Sequence, residues 1–461
     1  MNAERPMTDQ QPTQQPARQP ARRPNILLVL TDQQSAHMLG CVGTSHVRTP
    51  HLDALAAAGT RFDRSYVTFP LCVPSRVAMM TGQYPHRLGV HSNAEPGDPD
   101  VARGPQSLPR LLAGAGYECA YAGKWHATAP SASGADGFEV IKEFGDAGLV
   151  GSAREFLTGR DRQRPFFLVT SFDDPHTICE VARGQPSYYG ELPAVETDAA
   201  PNLPPNFGPQ PFEPEALRSE QRAAEKVYGT GGYTPEQWRG YRAAYAALVE
   251  RVDARIGELL QALAESGHDQ DTVVVFTSDH GDGDAAHGWN QKTALYEEIV
   301  RVPLIITRPG ERENGLDHRL VNTGVDLLPT LCDLAGVETP AGLPGRSLVA
   351  EPGGHEHVVV QTTFADGPRP HTRGRAVITE DYKYVVYSWG RYREQLHDLR
   401  ADPGEQINLA VEARHRPVLE AMRGRLLQWC LEQEDRTMLK RLVLPAHTPP
   451  EIREEIYAVP Y

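Results

Sequence analysis

Cysteine is sparse in this sequence and never clustered: the six residues at 41, 72, 119, 179, 332 and 430 form no Cys-x-x-Cys pair. That scatter excludes a zinc ribbon and gives no sign of a disulfide scaffold, so buried thiols in a reducing compartment are the expectation. Long apolar runs are also missing. The first 24 residues are rich in Gln, Pro and Arg and read as neither a secretory signal nor a membrane anchor; no later stretch has the length to cross a bilayer. Cytoplasmic residence with no membrane partner follows as an expectation. Basic charge is in deficit, 46 Lys and Arg against 60 Asp and Glu for a net charge of -14. Nucleic acid is therefore not an expected partner, and any affinity for an anion has to be built locally. No internal repeat is present. What remains is a globular composition, 40% hydrophobic and 23% charged, in 461 residues, enough for a large core.

Strand and helix patterns alternate through most of the chain, which predicts an α/β fold with helices sandwiching a sheet. Asn25 to Leu30 is a continuous apolar run suited to a strand buried on both faces. Arg61 to Val67, Glu118 to Ala122, Phe166 to Thr170, Thr272 to Thr277 and Pro303 to Thr307 read as further strands. Helices are predicted from Pro50 to Gly59, Ser107 to Gly116 and Asp326 to Gly336. Thr234-Pro235-Glu236-Gln237 is a capping box opening a long amphipathic helix that ends near Gly267. Its aromatics, Trp238, Tyr241 and Tyr245, fall on the core stripe. Pro186 to Gly232 reads as a long insertion rich in Pro, Gly and aromatics, of the kind that shapes a binding site. Beyond Pro340 short strands at His357 to Thr363, Arg375 to Thr379 and Tyr382 to Tyr387 predict a small antiparallel sheet, followed by a helix from Ala413 to Gln433. The expected organisation is a disordered tail over 1–23, a catalytic domain over 24–340 and a smaller α+β unit over 341–461.

The residues that can carry chemistry fall where these strands end. Asp32 closes the first strand, where open α/β sheets place their ligands, although a turn or cap is an equally ordinary use for it. Lys124 and His126 follow the strand ending at Gly123 and could both face a pocket or simply lie at the surface. Asp279 and His280 follow Ser278, and with Asp32 they make a plausible divalent-metal site. Leu71-Cys72-Val73-Pro74-Ser75-Arg76 runs into a helix that Gly82 stops. Cys72 is expected just ahead of that helix's N-terminus, where free N–H groups favour an anion, and Arg76 adds a planar cation that matches sulfate or phosphate oxygens.

The stretch Cys72-x-Pro74-Ser75-Arg76, with a short helix ending in Thr81-Gly82, resembles the signature of the type I, formylglycine-dependent sulfatases of the alkaline phosphatase-like superfamily. The likeness extends from Asn25 to Leu409. It includes Gly123-Lys124-Trp125-His126, Asp279-His280, the spacing of His287 and Lys292, and Leu396-His397-Asp398-Leu399 with Asp402-Pro403, Glu405 and Asn408-Leu409. The resemblance implies a mixed, mostly parallel sheet sandwiched by helices, followed by a smaller C-terminal α+β domain. It implies that Cys72 is oxidised to formylglycine (3-oxoalanine) by a formylglycine-generating enzyme, with Arg76 as its partner. Asp32, Gln33, residue 72, Asp279 and His280 would hold a divalent metal, Ca²⁺ being expected, with Mn²⁺ or Mg²⁺ also compatible. Lys124, His126, His176 and Lys292 would act on the sulfate, with His287 positioning the segment or binding substrate.

The implied reaction is hydrolysis of a small-molecule or saccharide sulfate ester. A hydrated aldehyde attacks sulfur, a histidine protonates the leaving alcohol, and the second hydroxyl expels sulfate, which a thiol cannot do. Two positions depart from the family pattern. Gln33 stands where many members have a second aspartate, removing one negative charge, and Ala285-Ala286 replace a Gly and an acid. Gln after the first Asp, together with Asp-His, also occurs in relatives that cleave phosphonate or phosphate esters, so a phosphonate monoester hydrolase or phosphodiesterase is the alternative enzyme. A non-catalytic binder of sulfated ligands, with Cys72 left as a thiol, is the alternative outside catalysis.

Overall fold

The computed structural model describes residues 23–94, 106–127, 136–193, 200–310, 315–350, 353–364, 367 and 371–458; apart from Arg23, the expected N-terminal tail lies outside them. Among the described residues eight strands form the larger sheet: β1 (Asn25–Asp32), β2 (Thr60–Tyr66), β3 (Glu118–Gly123), β4 (Glu139–Lys142), β5 (Phe166–Pro175), β6 (Thr272–Ser278), β7 (Leu304–Thr307) and β8 (Gly315–Asn322). Their spatial order is β4-β3-β5-β1-β6-β7-β2-β8. Every neighbouring pair is parallel except those made by β7, which runs against both β6 and β2. The central strand β1 is buried at all eight positions. Its side chains alternate between two cores, as the period of two requires. Ile26, Leu28 and Leu30 meet the helices Cys72–Thr81 and Thr323–Leu334, whereas Leu27 and Val29 meet Leu149–Gly159 and Pro235–Glu265. The result is a three-layer α/β/α sandwich.

A second sheet, ordered β12-β11-β10-β9, is antiparallel throughout and comprises β9 (Val358–Phe364), β10 (Thr372–Ile378), β11 (Tyr382–Tyr387) and β12 (Glu394–Asp398). One face packs on the helix Arg416–Glu432 through Leu419, Met422, Leu426 and Trp429. The other face packs on Tyr66, Val67, Leu295 and Tyr296. A buried charge ties the same surfaces together. Lys383 Nζ on β11 lies 3.2 Å from Glu297 and 2.8 Å from Glu405, and the Glu297 carboxylate also accepts the Tyr66 hydroxyl at 3.1 Å.

The predicted strands and helices are present, with ends shifted by a few residues. Cys72 is the first residue of its helix rather than the one before it, and Gly82 stops that helix in the left-handed region at φ 67°. The capping box forms as expected, Thr234 Oγ1 accepting from Gln237 N while the Gln237 side chain accepts from Thr234 N. Elements without a counterpart in the sequence reading include β4, β8, β12 and the helices Leu149–Gly159, Ile178–Ala182 and Pro450–Ala458. The 186–232 stretch also differs from the expected insertion, because it contains the helix Glu215–Tyr228. That helix is dominated by charged residues and buries only small or polar positions besides Leu217, so the apolar periodicity that reveals helices was faint.

Replacing Lys383 with Met should leave Glu297 and Glu405 buried without their cation and lower the unfolding free energy by about 3–5 kcal/mol in urea denaturation. A loss under about 1 kcal/mol would show that this charge does not hold the two sheets together.

Candidate active site

The carboxyl ends of β3, β5, β1 and β6 lie side by side, and the N-terminus of the Cys72–Thr81 helix faces them. Arg76, 1% exposed, joins all of these elements. Its Nε donates to Asp279 Oδ2 at 2.7 Å and one terminal nitrogen to Asp32 Oδ2 at 3.0 Å. The other donates to Lys124 O at 2.9 Å and Ser171 Oγ at 2.8 Å. Lys124 Nζ bridges Asp32 Oδ2 and Asp173 Oδ1, each at 2.9 Å. Gly123 makes this approach feasible: its φ is 98°, and a Cβ there would stand 2.1 Å from Ser171 O.

Cys72 Sγ lies 3.3 Å from His280 Nε2 and 3.2 Å from Lys292 Nζ, and the His126 side chain is near enough to favour its ionised form. Burial and Asp32 push the thiol's pKa up, but Lys292, His280 and His126 outweigh them and hold it well below the ordinary value. The site therefore stabilises negative charge at the position of this side chain. Burial opposes the Lys292 charge, yet Cys72 and Cys179 on balance raise its pKa, so it stays protonated.

The donor set fits a divalent cation. Asp32 and Asp279 each give Oδ2 to Arg76 and turn Oδ1 to within 3.7 Å of His280 Nε2. His280 Nδ1 lies 2.9 Å from Gly281 O; a carbonyl can only accept, so Nδ1 carries the proton and the neutral ring points its Nε2 lone pair at two carboxylate oxygens. That juxtaposition is repulsive unless a cation, or a second ring proton, sits among them. One donor atom from each of Asp32, Cys72, Asp279 and His280 lies within 4.8 Å of the others, and all four residues are buried.

Beyond Lys124 a cavity of about 720 Å³ opens, lined in part by His126, Asp173 and His176. Burial, then Lys124 and Lys292, lower the His176 pKa to about 3, leaving the ring neutral near pH 7.

The structure thus gathers Asp32, Cys72, Arg76, Lys124, His126, Asp279, His280 and Lys292 into one constellation, with His176 at the cavity beside it. Two expected site residues sit elsewhere. The Gln33 amide nitrogen donates to Asp282 Oδ2 at 2.7 Å and to Gln291 Oε1 at 3.2 Å, tying down the loop that presents Lys292. His287 is buried and stacks flat on Tyr296, with centroids 3.7 Å apart and an interplanar angle of 9°. Its N–H donates to Asn206 O at 2.7 Å. Left-handed φ values at Asp284, Ala285, His287, Gln291 and Thr293 fold this loop tightly, so His287 and Lys292 reach different neighbours despite their spacing.

Other participants were not anticipated. Asp173 and Ser171 hold Lys124 and Arg76, and a carboxylate two residues beyond a buried strand run was the available signal for Asp173. Tyr241 and Tyr245, read as plain core, use their hydroxyls: Tyr241 donates to both oxygens of Asp282 at 2.9 and 2.8 Å, and Tyr245 donates to Gln33 O at 2.6 Å.

Residues 24–337 match the family model described as Sulfatase, and residues 285–432 match one described as N-sulphoglucosamine sulphohydrolase, C-terminal. The chain is 30% identical over 442 residues to a Delta 4,5-hexuronate-2-O-sulfatase of Bacteroides thetaiotaomicron, covering 89% of this chain and 90% of the relative. A solved structure of a 2-O GAG sulfatase aligns with a TM-score of 0.81 at 28% identity, over 94% of this chain and all of the other. The phosphonate monoester hydrolase of Agrobacterium radiobacter aligns at TM-score 0.71 and 23% identity, over 89% of this chain and 96% of the other, a likeness of fold alone.

Saturating Ca²⁺, Mn²⁺ or Mg²⁺ should raise the melting temperature of chelator-treated protein; a hundredfold excess over Kd corresponds to about 2.7 kcal/mol. Asp32→Ala should abolish that rise, and an equal rise in the variant would place the bound cation away from these four groups.

Proposed function

The chain belongs to the sulfatase family and is a sulfuric ester hydrolase, and from that premise we propose that it acts through a formylglycine made from Cys72, beside a divalent cation held by Asp32, residue 72, Asp279 and His280. The observation that carries this reading is the setting of Sγ: at a buried helix N-terminus, 3.2 Å from an ammonium and 3.3 Å from an imidazole whose other neighbours are two carboxylates.

The modified side chain, once hydrated, supplies an oxygen nucleophile and a second hydroxyl through which sulfate can be released. The cation supplies Lewis-acid polarisation and favours the ionised nucleophile. The chain's own residues do the remaining work. Arg76 holds Asp32 and Asp279 in register through their Oδ2 atoms, so that their Oδ1 atoms turn toward the cation's place, the one on Asp279 also accepting the Gln33 N–H at 3.1 Å. Lys124 and Lys292 flank position 72 and offset charge on the sulfuryl oxygens as it builds in the transition state. His126 and His176, beside the cavity through which the alcohol departs, are the candidates to deliver its proton. A formylglycine-generating enzyme is the implied processing partner, and a small-molecule or saccharide sulfate ester is the substrate. The oxygen-rich donors suit Ca²⁺, while His280 equally admits Mn²⁺. Gln33 in place of a second acid favours one further reading, phosphonate or phosphodiester cleavage at the same centre.

Mass analysis of the peptide containing residue 72, from protein made in its native host, should show an aldehyde; an intact thiol would support the non-catalytic binder instead. Cys72→Ala should abolish turnover of an aryl sulfate with the melting temperature of the cation-free protein little changed, and undiminished activity would remove residue 72 from the mechanism. Lys292→Met should lower kcat about a hundredfold or more. In parallel assays aryl sulfate should be cleaved more efficiently than aryl phosphonate, and the reverse order would favour the phosphonate reading.

A further inference from the structure

The cavity next to the nucleophile carries groups that hydrolysis of the sulfate does not require. Phe144 and Tyr188 line it while remaining 54% and 68% exposed. Large aromatics at the rim of a cavity gain little by facing water, and their flat faces are the surfaces on which sugar and other rings stack. The Phe144 ring centre lies 5.9 Å from Lys124 Nζ, so a ring resting on it would be one residue's reach from the sulfuryl site.

Two charged groups face the same space without full partners. Lys142 closes β4 and lines the cavity. Its Nζ donates to two backbone carbonyls, Glu143 O at 3.0 Å and Phe144 O at 3.4 Å; among the described residues it pairs with no carboxylate. Those carbonyls orient the ammonium and leave its charge uncompensated. Glu180, 7% exposed, also lines the cavity. Among the described residues its Oε2 is buried with no hydrogen-bond partner, and Arg183 stands 3.8 Å from its Oε1, beyond hydrogen-bonding distance. A buried carboxylate that is short of donors gains from a hydroxyl brought to it by a ligand. The other acid here, Asp173, is already satisfied by Lys124 at 2.9 Å and the Tyr189 hydroxyl at 3.1 Å.

We propose that Lys142, Glu180, Phe144 and Tyr188 form the leaving-group subsite of this sulfatase, and that the alcohol it releases is a hydroxylated ring bearing a second anionic group, an acidic saccharide. The aromatics stack on the ring, Lys142 takes the acidic substituent, and the Glu180 carboxylate accepts a ring hydroxyl. This inference rests on the sulfatase reading and deepens it. It also reconciles an acidic protein with a doubly anionic substrate, since both anionic groups would meet lysines that face the cavity.

The test compares, with the processed holoenzyme, O-sulfated hexuronates, their methyl esters, the matching O-sulfated neutral hexoses and 4-nitrophenyl sulfate. The acid should be preferred over its methyl ester by about tenfold or more in kcat/KM, chiefly through KM. Lys142→Met should erase that preference, and Glu180→Gln should lower saccharide turnover relative to 4-nitrophenyl sulfate by about tenfold. Each ratio is taken within one protein preparation, so a partly folded variant does not blur it. Equal use of acid and methyl ester, or a preference that survives Lys142→Met, overturns the subsite while leaving the sulfatase reading intact. Failure on 4-nitrophenyl sulfate and all of the sugars overturns both.

Discussion

One guanidinium organises this protein. Arg76 lies between Asp32 and Asp279, two carboxylates with no access to water. Side by side and unpaired, they would repel and one would take up a proton; the direction of their shifts shows the strain, with Asp32 held ionised and Asp279 pushed upward by burial and by Asp32. Because Arg76 also binds the backbone of Lys124 and the hydroxyl of Ser171, it fastens the ends of four strands to the first turns of the helix that carries Cys72. Removing such a cation strands two buried charges, so this contact matters as much to the fold as to the chemistry.

The field inside the site runs against that of the whole chain. Net charge is -14, yet residue 72 is surrounded by Lys292, Lys124 and Arg76, with a helix N-terminus behind it. The acids nearby do not cancel this lining. They hold its cations in fixed positions and turn their remaining oxygens to one point. A second layer fixes the arrangement in turn: Asp282 receives Tyr241, Gln33 and the Gln291 N–H, so the long helix Pro235–Glu265 braces the loop bearing Lys292 through phenolic hydroxyls.

Much of this was legible in the amino-acid order. Buried parallel strands announce themselves as unbroken apolar runs, and β1 and β6 were readable for that reason; their ends drew attention to Asp32 and Asp279-His280, and the family resemblance chose a metal site over ordinary turn residues. Cys72 and Arg76 could be joined because they share one short helix. The structure was less legible where a side chain's direction depends on the backbone of a loop. His287 and Lys292 are five residues apart in an irregular turn, and spacing cannot tell which faces the pocket. The direction of Gln33 was hidden for a similar reason: with a φ of 73° its amide reaches Asp282. Strands such as β8, with an alternating and partly exposed pattern, and charged helices such as Glu215–Tyr228 carry too little apolar signal to stand out.

The rim of the cavity grows from different parts of the fold than its floor. Lys142 ends an edge strand and Phe144 follows it, and Glu180 and Tyr188 lie in and after a five-residue helix, whereas Asp32, Cys72, Arg76 and Asp279 stand on or just past central strands and on a fully buried helix. On the proposed reading, choice of ester falls chiefly to these outer segments, which meet the chemistry at Lys124, His126 and His176. Such a scaffold can diversify by exchanging its outer segments while the inherited chemistry is left untouched, which makes these segments natural targets for directed evolution toward new esters.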